Sequence, residues 1–190
     1  MFSSPLLESV AKEIVMHDID SEILHLMVQY CYTGKIIISE DNVESILSTA
    51  CLFHLTSVVQ ACSNFLTRQL DPTNCIGFTF FAEQQNCLDL FNNALNYTAA
   101  HFLEVCEHQE FAHMTAAQLK LLLDNNDLNV ENEEDVYDAL IKWTTYGDGR
   151  KQQMQSILPS LRLTQLSVKV RSFKHQLVTV INELYFNYSL

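Results

Sequence analysis

Four glycines and three prolines in 190 residues leave little turn-forming material. Many short strands would need such residues at their corners, so an all-β chain is excluded, as is a Pro/Gly-rich disordered one. Basic residues are also scarce, 11 Lys and Arg against 23 Asp and Glu, for a net charge of −12. Non-specific binding to nucleic acid or to an anionic membrane rests on Lys and Arg, so neither partner is expected. No run approaches the ~20 apolar residues of a bilayer-spanning helix. The opening Met1-Phe2-Ser3-Ser4-Pro5 has neither the basic start nor the apolar centre of a secretory signal. The six cysteines (Cys31, Cys51, Cys62, Cys75, Cys87 and Cys106) include no C-x-x-C pair. Their irregular spacing among apolar neighbours reads as reduced core thiols of a cytoplasmic or nuclear protein, not as a disulfide frame.

Chemistry-bearing motifs are missing too. There is no phosphate loop, no G-x-G-x-x-G, no G-x-S-x-G and no H-E-x-x-H. His101, Cys106, His108 and His113 form the only His/Cys concentration, and their loose spacing across an expected helix end fits polar residues better than zinc ligands. Cysteines on apolar stripes have raised thiol pKa values and make poor nucleophiles. The acidic run Glu131–Asp135 fits a helix start and lacks the EF-hand pattern. The chain is therefore read as no enzyme, with no catalytic residue, cofactor or metal. Its six thiols leave a redox-sensor role as a minor alternative.

What is present is apolar periodicity. Hydrophobic residues make up 48% of the chain, enough for a sizeable core. Residues 13–18 and 35–39 are the best strand candidates, being short and β-branched. Ile36, Ile37 and Ile38 stand in a row, so both faces of such a strand would want cover. Nearly everything else has helical period. Residues 40–52 carry one apolar face (Val43, Ile46, Leu47, Ala50 and Cys51) behind a Ser39 cap, and 55–70 repeat the pattern. Asp71-Pro72 starts a new helix. Residues 72–84 and 87–103 read as a hairpin turning at Gln85-Asn86, its second arm facing inward through Leu88, Phe91, Leu95, Thr98 and Phe102. Thr115 with Gln118 makes a capping box before Leu119, Leu122 and Leu123. Asn132 caps a helix whose inner face is Val136, Leu140 and Trp143, with Tyr137. Residues 147–151 form a loop, and a last helical pattern covers 152–163. The expectation is a mainly α chain, a small α/β piece up to residue 70 followed by an all-helical domain.

In that order, the residues resemble the BTB–BACK–kelch family, substrate adaptors of cullin-RING ubiquitin ligases. Met1-Phe2-Ser3-Ser4 and Leu6-Leu7-Glu8 are similar to the third BTB helix and its hydrophobic-x-Glu motif. Tyr32-Thr33-Gly34-Lys35-Ile36 is similar to the BTB Y-T-G turn. Gln69-Leu70-Asp71-Pro72 with Asn74-Cys75 resembles the BTB–BACK junction, and Phe81-Ala82-Glu83 with Cys87 comes next in BACK. Asp127-Leu128-Asn129-Val130, then Glu133, Val136-Tyr137, Ala139, Ile141 and Trp143, resembles the BACK signature. Leu161-Arg162-Leu163 with Leu166-Ser167 resembles its next element.

The resemblance implies a protein-binding adaptor whose BTB domain dimerises and binds the cullin-three scaffold, with BACK supporting a kelch propeller that selects substrate. It implies cullin-binding residues Leu6, Glu8, Phe53, His54, Asn74, Cys75 and Phe78. It also brings the family's association with actin binding. Residues 1–70 correspond to the C-terminal half of a BTB/POZ α/β domain and 71–167 to a truncated BACK domain. Residues 168–190 fit neither BACK nor kelch and are read as a divergent tail, with a short helical pattern over 176–186 through Leu177, Val180, Ile181 and Leu184. With the front half of BTB and the kelch repeats absent, the expectation is a fragment that binds cullin but not substrate, and a monomer or poorly behaved aggregate rather than a clean dimer. A reading of a different class makes the chain an oligomerising BTB scaffold in transcription or cytoskeletal organisation, without a ligase role.

Overall fold

A computed structural model describes Met16 and residues 19–161. The chain divides into two compact units, Met1–Phe65 and Leu66–Leu190. The described residues are mainly helical and contain no strand, and none of their helices is long and apolar enough to cross a membrane.

In the first unit, helix α1 (Ser21–Thr33) starts where the Asp20 carboxylate accepts the Glu22 N–H at 2.7 Å. It ends at Gly34, whose φ of 66° is the left-handed conformation that glycine adopts without a Cβ clash. Ile23 and Met27 are its buried residues, and it packs on α2 (Val43–Leu52). The expected face of α2 is the buried one, through Val43, Ile46, Leu47 and Ala50. Its start lies three residues later than expected. Asn42 occupies the cap position, and its side chain accepts the Ser39 N–H at 2.8 Å. Helix α3 (Thr56–Arg68) completes the described elements of this part of the chain.

The strand expected at 35–39 does not form among the described residues. A strand exists only by ladder pairing, and the other candidate, 13–18, lies outside the described residues apart from Met16. Local side chains hold the segment instead, as where Asn42 Nδ2 donates to Ile37 O at 3.2 Å. Ile37 is left exposed.

The second unit opens with the hairpin of α4 (Cys75–Gln84) and α5 (Leu88–Ala100). It turns at Gln85-Asn86 as expected, with Asn86 at φ 53° and Cys87 N–H donating to Ala82 O at 2.9 Å. The inner face of this second arm is the expected one only in part, at Thr98 and Phe102. Leu90, Ala94, Thr98 and Ala99 are buried, whereas Leu88 is 72% exposed. Small side chains let the two helices approach closely, and the larger Phe91 and Leu95 are left half-buried at the edge. The short α6 (Phe102–Val105) and a 3-10 turn (Gln109–His113) come next.

Helix α7 (Ala116–Leu123) carries the expected capping box between Thr115 and Gln118. Helix α8 (Glu133–Thr145) buries Val136, Tyr137, Leu140 and Trp143, as its period requires. Helix α9 (Arg150–Ile157) begins two residues earlier than expected and runs into a 3-10 turn, Leu158–Ser160. The core of this unit centres on Trp143, Leu119, Leu122, Leu140 and Ile157, all essentially inaccessible. Phe102 and Phe111 meet edge to face within it at 6.4 Å.

Candidate interaction surface

The seven residues expected at a partner contact fall into separate places. Leu6 and Glu8 lie outside the described residues. Phe53 and His54 form the turn that ends α2. The Phe53 N–H bonds Thr49 O at 3.0 Å and its ring is half-buried. His54 stands exposed at a φ of 55°, uncommon for a residue with a Cβ. The pair therefore presents a protruding imidazole beside a partly covered aromatic ring.

Asn74, Cys75 and Phe78 lie around the first turn of α4. Asn74 acts as a clasp: its Oδ1 accepts the Asp71 N–H at 2.8 Å and its Nδ2 donates to Gln69 O at 2.9 Å. The Asp71 carboxylate in turn accepts the Thr73 N–H at 2.9 Å and hydroxyl at 2.8 Å. These two bonds, the backbone one first, favour the charged form and hold its pKa below the ordinary value. Pro72 is buried within this turn, which delays the regular helix to Cys75. Cys75 is fully buried, and burial pushes its thiol pKa up. It presents no surface to a partner in this conformation. Phe78 is half-buried.

The His/Cys concentration does not converge. The His101 ring stacks on Tyr97 at 4.4 Å and its Nδ1 lies 3.7 Å from Glu104. Cys106 is buried, and loss of solvation drives its thiol pKa up to about 12. Among the described residues, no three His, Cys, Asp or Glu side chains are placed to hold a metal ion. Of the thiols expected in the core, Cys31 is exposed and Cys51 half-buried. The buried face of α1 ends at Met27, so its last turn, with Cys31 and Tyr32, stands free of the core.

Two features were not placed by sequence reasoning. One is the Arg150 guanidinium. Its Nη2 donates to Ala112 O at 2.6 Å and its Nη1 to Trp143 O at 3.2 Å, while Cζ sits 4.6 Å over the Trp143 ring. Trp143 Nε1 itself donates to Met114 O at 2.9 Å. The other is an apolar groove among α4, α5 and α7. Phe80, Phe91 and Leu95 are half-buried along it, Leu121 is 45% exposed, and Glu83 meets Gln118 across it at 3.2 Å. Phe91 and Leu95 were its sequence signal, legible as apolar positions but read as fully inward.

The described residues form a two-unit, mainly helical chain with an apolar groove in its second unit. The BACK family model (BTB And C-terminal Kelch) matches residues 75–174, over half the chain, and the BTB/POZ domain model matches residues 1–70. The chain belongs to the BTB–BACK, kelch-like family. Human Kelch-like protein 5 is 40% identical over 168 residues, covering 88% of this chain and 22% of its own length. Human Kelch-like protein 4 is 40% identical over 167 residues, covering 87% of this chain and 23% of its own length. The chain thus spans less than a quarter of the length of these curated relatives.

Proposed function

We propose that this chain is a protein-binding adaptor of the cullin-three RING ubiquitin ligase type, engaging the cullin through its BTB and BACK portions. The observation that carries the reading is the tandem BTB and BACK match on one chain. Residues 1–70 act as the BTB portion, 71–167 as BACK and 168–190 as a separate tail. Its setting is the cytoplasm or nucleus, and it works by binding rather than by catalysis.

We assign to cullin binding Leu6, Glu8, the half-buried Phe53 and the exposed His54 in the first unit and, separately, Phe78 in the second. Asn74 and Cys75 serve it by seating the start of α4, one as a clasp and the other as packing. A leucine fills an apolar pocket and a glutamate pairs with a basic or hydroxyl group opposite. The test is a pull-down with cullin-three. Leu6→Asp should weaken capture at least about tenfold, because it places a charge in an apolar pocket, and Glu8→Ala should weaken it less. Equal capture of the parent and both variants would reject the contact.

A further inference from the structure

Helix α9 is entered through the turn Gly147-Asp148-Gly149-Arg150, where the Arg150 N–H donates to Gly147 O at 3.4 Å. Gly149 holds a φ of 86°, the left-handed conformation open to glycine. Asp148 and both glycines are exposed. Among the described residues, no hydrogen bond holds the Asp148 carboxylate or the Gly149 N–H. A Cβ built on Gly149 would meet only Gln152 Oε1, at 3.6 Å, so this peptide unit is open to approach. The turn also touches the clasp on Trp143. A Cβ on Gly147 would lie 3.3 Å from Arg150 Nε and 3.6 Å from its Cδ, so the Arg150 side chain folds back over the turn on its way to Ala112 O and Trp143 O.

An aspartate side chain can close a five-membered ring on the backbone nitrogen of the next residue if that nitrogen is unshielded and the backbone can turn to meet it. Glycine offers both, having no Cβ and the widest choice of dihedrals. Asp148-Gly149 is the one Asp-Gly pair in the sequence, which has no Asn-Gly. Other aspartates are held. Asp20 precedes a serine, but its carboxylate accepts the Glu22 N–H at the start of α1. Asp71 is bonded by Thr73, and Pro72 after it has no N–H to give up. Asp89, Asp135 and Asp138 stand within helices, where the backbone dihedrals are fixed.

We propose that Asp148-Gly149 is a site of spontaneous covalent modification, at which the chain isomerises to an isoaspartyl link and releases the Arg150 clasp. The Gly149 nitrogen bonds to Asp148 Cγ. The carboxyl's hydroxyl leaves with the amide proton as water, and a succinimide ring remains. Water then opens the ring. Breaking the new bond restores the aspartate. Breaking the bond from the Gly149 nitrogen to the Asp148 backbone carbonyl carbon routes the chain through the side chain and frees that carbonyl as a carboxylate. One water leaves and one enters, so the mass is unchanged and no oxidant or reductant takes part. The chain becomes longer by one bond of about 1.5 Å. The Arg150 bonds, at 2.6 and 3.2 Å, do not survive such a displacement, since a contact beyond roughly 3.6 Å is no hydrogen bond. The proposal does not rest on the cullin reading.

The test ages the full chain at body temperature and mildly acidic pH, digests it with trypsin and follows the peptide 143–150 by chromatography and electron-transfer fragmentation. An isoaspartyl-specific carboxyl methyltransferase with labelled S-adenosylmethionine counts the product independently. A second species of equal mass should accumulate in this peptide. Asp148→Glu would need a six-membered ring with one more rotor to fix, and should cut the yield at least about tenfold. Asp148→Asn, which loses ammonia in place of water, should give the same product faster. Both substitutions fall at an exposed position, and circular dichroism checks that the fold is kept. The clasp is read by Trp143 fluorescence in urea. Ageing should lower the midpoint of the parent but not of Asp148→Glu, and the loss should shrink at least about twofold in an Arg150→Ala background. No isoaspartate in this peptide, a yield unchanged by Asp148→Glu, or an equal midpoint loss with and without Arg150 would each overturn the proposal.

Discussion

Arg150 is expected to hold the second unit together through one planar side chain. Its guanidinium bonds the carbonyls of Ala112 and Trp143 and lies over the indole. Hydrogen bonds from a charged donor are each worth roughly 1.5–3 kcal/mol net, and a cation over an aromatic face roughly 0.5–1. Arg150 is only half-buried, so water and salt take up part of this. Arg150→Ala should therefore cost about 2 kcal/mol. Arg150→Lys keeps the charge but loses the fork and the stack, and should recover no more than about half. Trp143 is the only tryptophan in the chain and is fully buried beside the substitution, so its fluorescence reports on this unit. In urea, with a slope of about 2 kcal/mol/M, the alanine variant should shift the midpoint down by roughly 1 M at unchanged slope. A shift below ~0.2 M would show that the clasp adds nothing. Full recovery by lysine would show that charge alone suffices and refute the role given to the fork.

Single contacts elsewhere set further expectations. Gly77 donates its N–H to Glu110 Oε2 at 3.1 Å, and a Cβ at position 77 would lie 3.0 Å from Glu110 Oε1. Gly77→Ala should lower the urea midpoint by about 1 kcal/mol equivalent, the lost charged bond outweighing alanine's helix preference; in a Glu110→Ala background the same change should stabilise by a similar amount. Maleimide labelling of the native chain near pH 8 should modify Cys31 first and leave Cys75, Cys87 and Cys106 untouched; rapid labelling of Cys106, with its thiol pKa near 12, would contradict its burial. Asp71 has its pKa lowered in the folded chain, so its contribution is full above the ordinary value of 3.8 and is lost as pH falls through the lower folded value. Asp71→Asn should accordingly flatten the acid limb of a midpoint-against-pH curve, and an unaltered limb below pH 4 would show that the Thr73 bonds do not discriminate the charged form.

Local signals were the legible part of the fold. The Thr115–Gln118 box, the Gln85-Asn86 turn and the α8 face depend on residues within one or two turns of each other, and all are where the sequence puts them. The inner face of the second arm was read partly right, since Thr98 and Phe102 are buried, but packing turned Leu90 and Ala94 inward in place of Leu88, Phe91 and Leu95. The 35–39 segment shows that β-branched residues mark strand propensity but cannot supply a ladder. Arg150 was illegible because its partners are backbone carbonyls, one of them 38 residues away, and carbonyls leave no mark in a sequence. Of the candidate contact, the family resemblance located the turns, while burial separated the residues that face outward, His54 and in part Phe78, from the fully inward Cys75.

Asn129 sits midway along the irregular stretch between α7 and α8. Its N–H donates to Ala99 O at 2.9 Å and its Nδ2 to Ala100 O at 3.1 Å, occupying carbonyls that the end of α5 leaves open. The stretch is thereby pinned at its centre and behaves as two short connectors rather than one long one. For anyone splicing a tag or a reporter into this protein, the two halves are therefore separate sites. An insertion near Asn126 lengthens only the connector on the α7 side, and the pin keeps that slack from reaching α8.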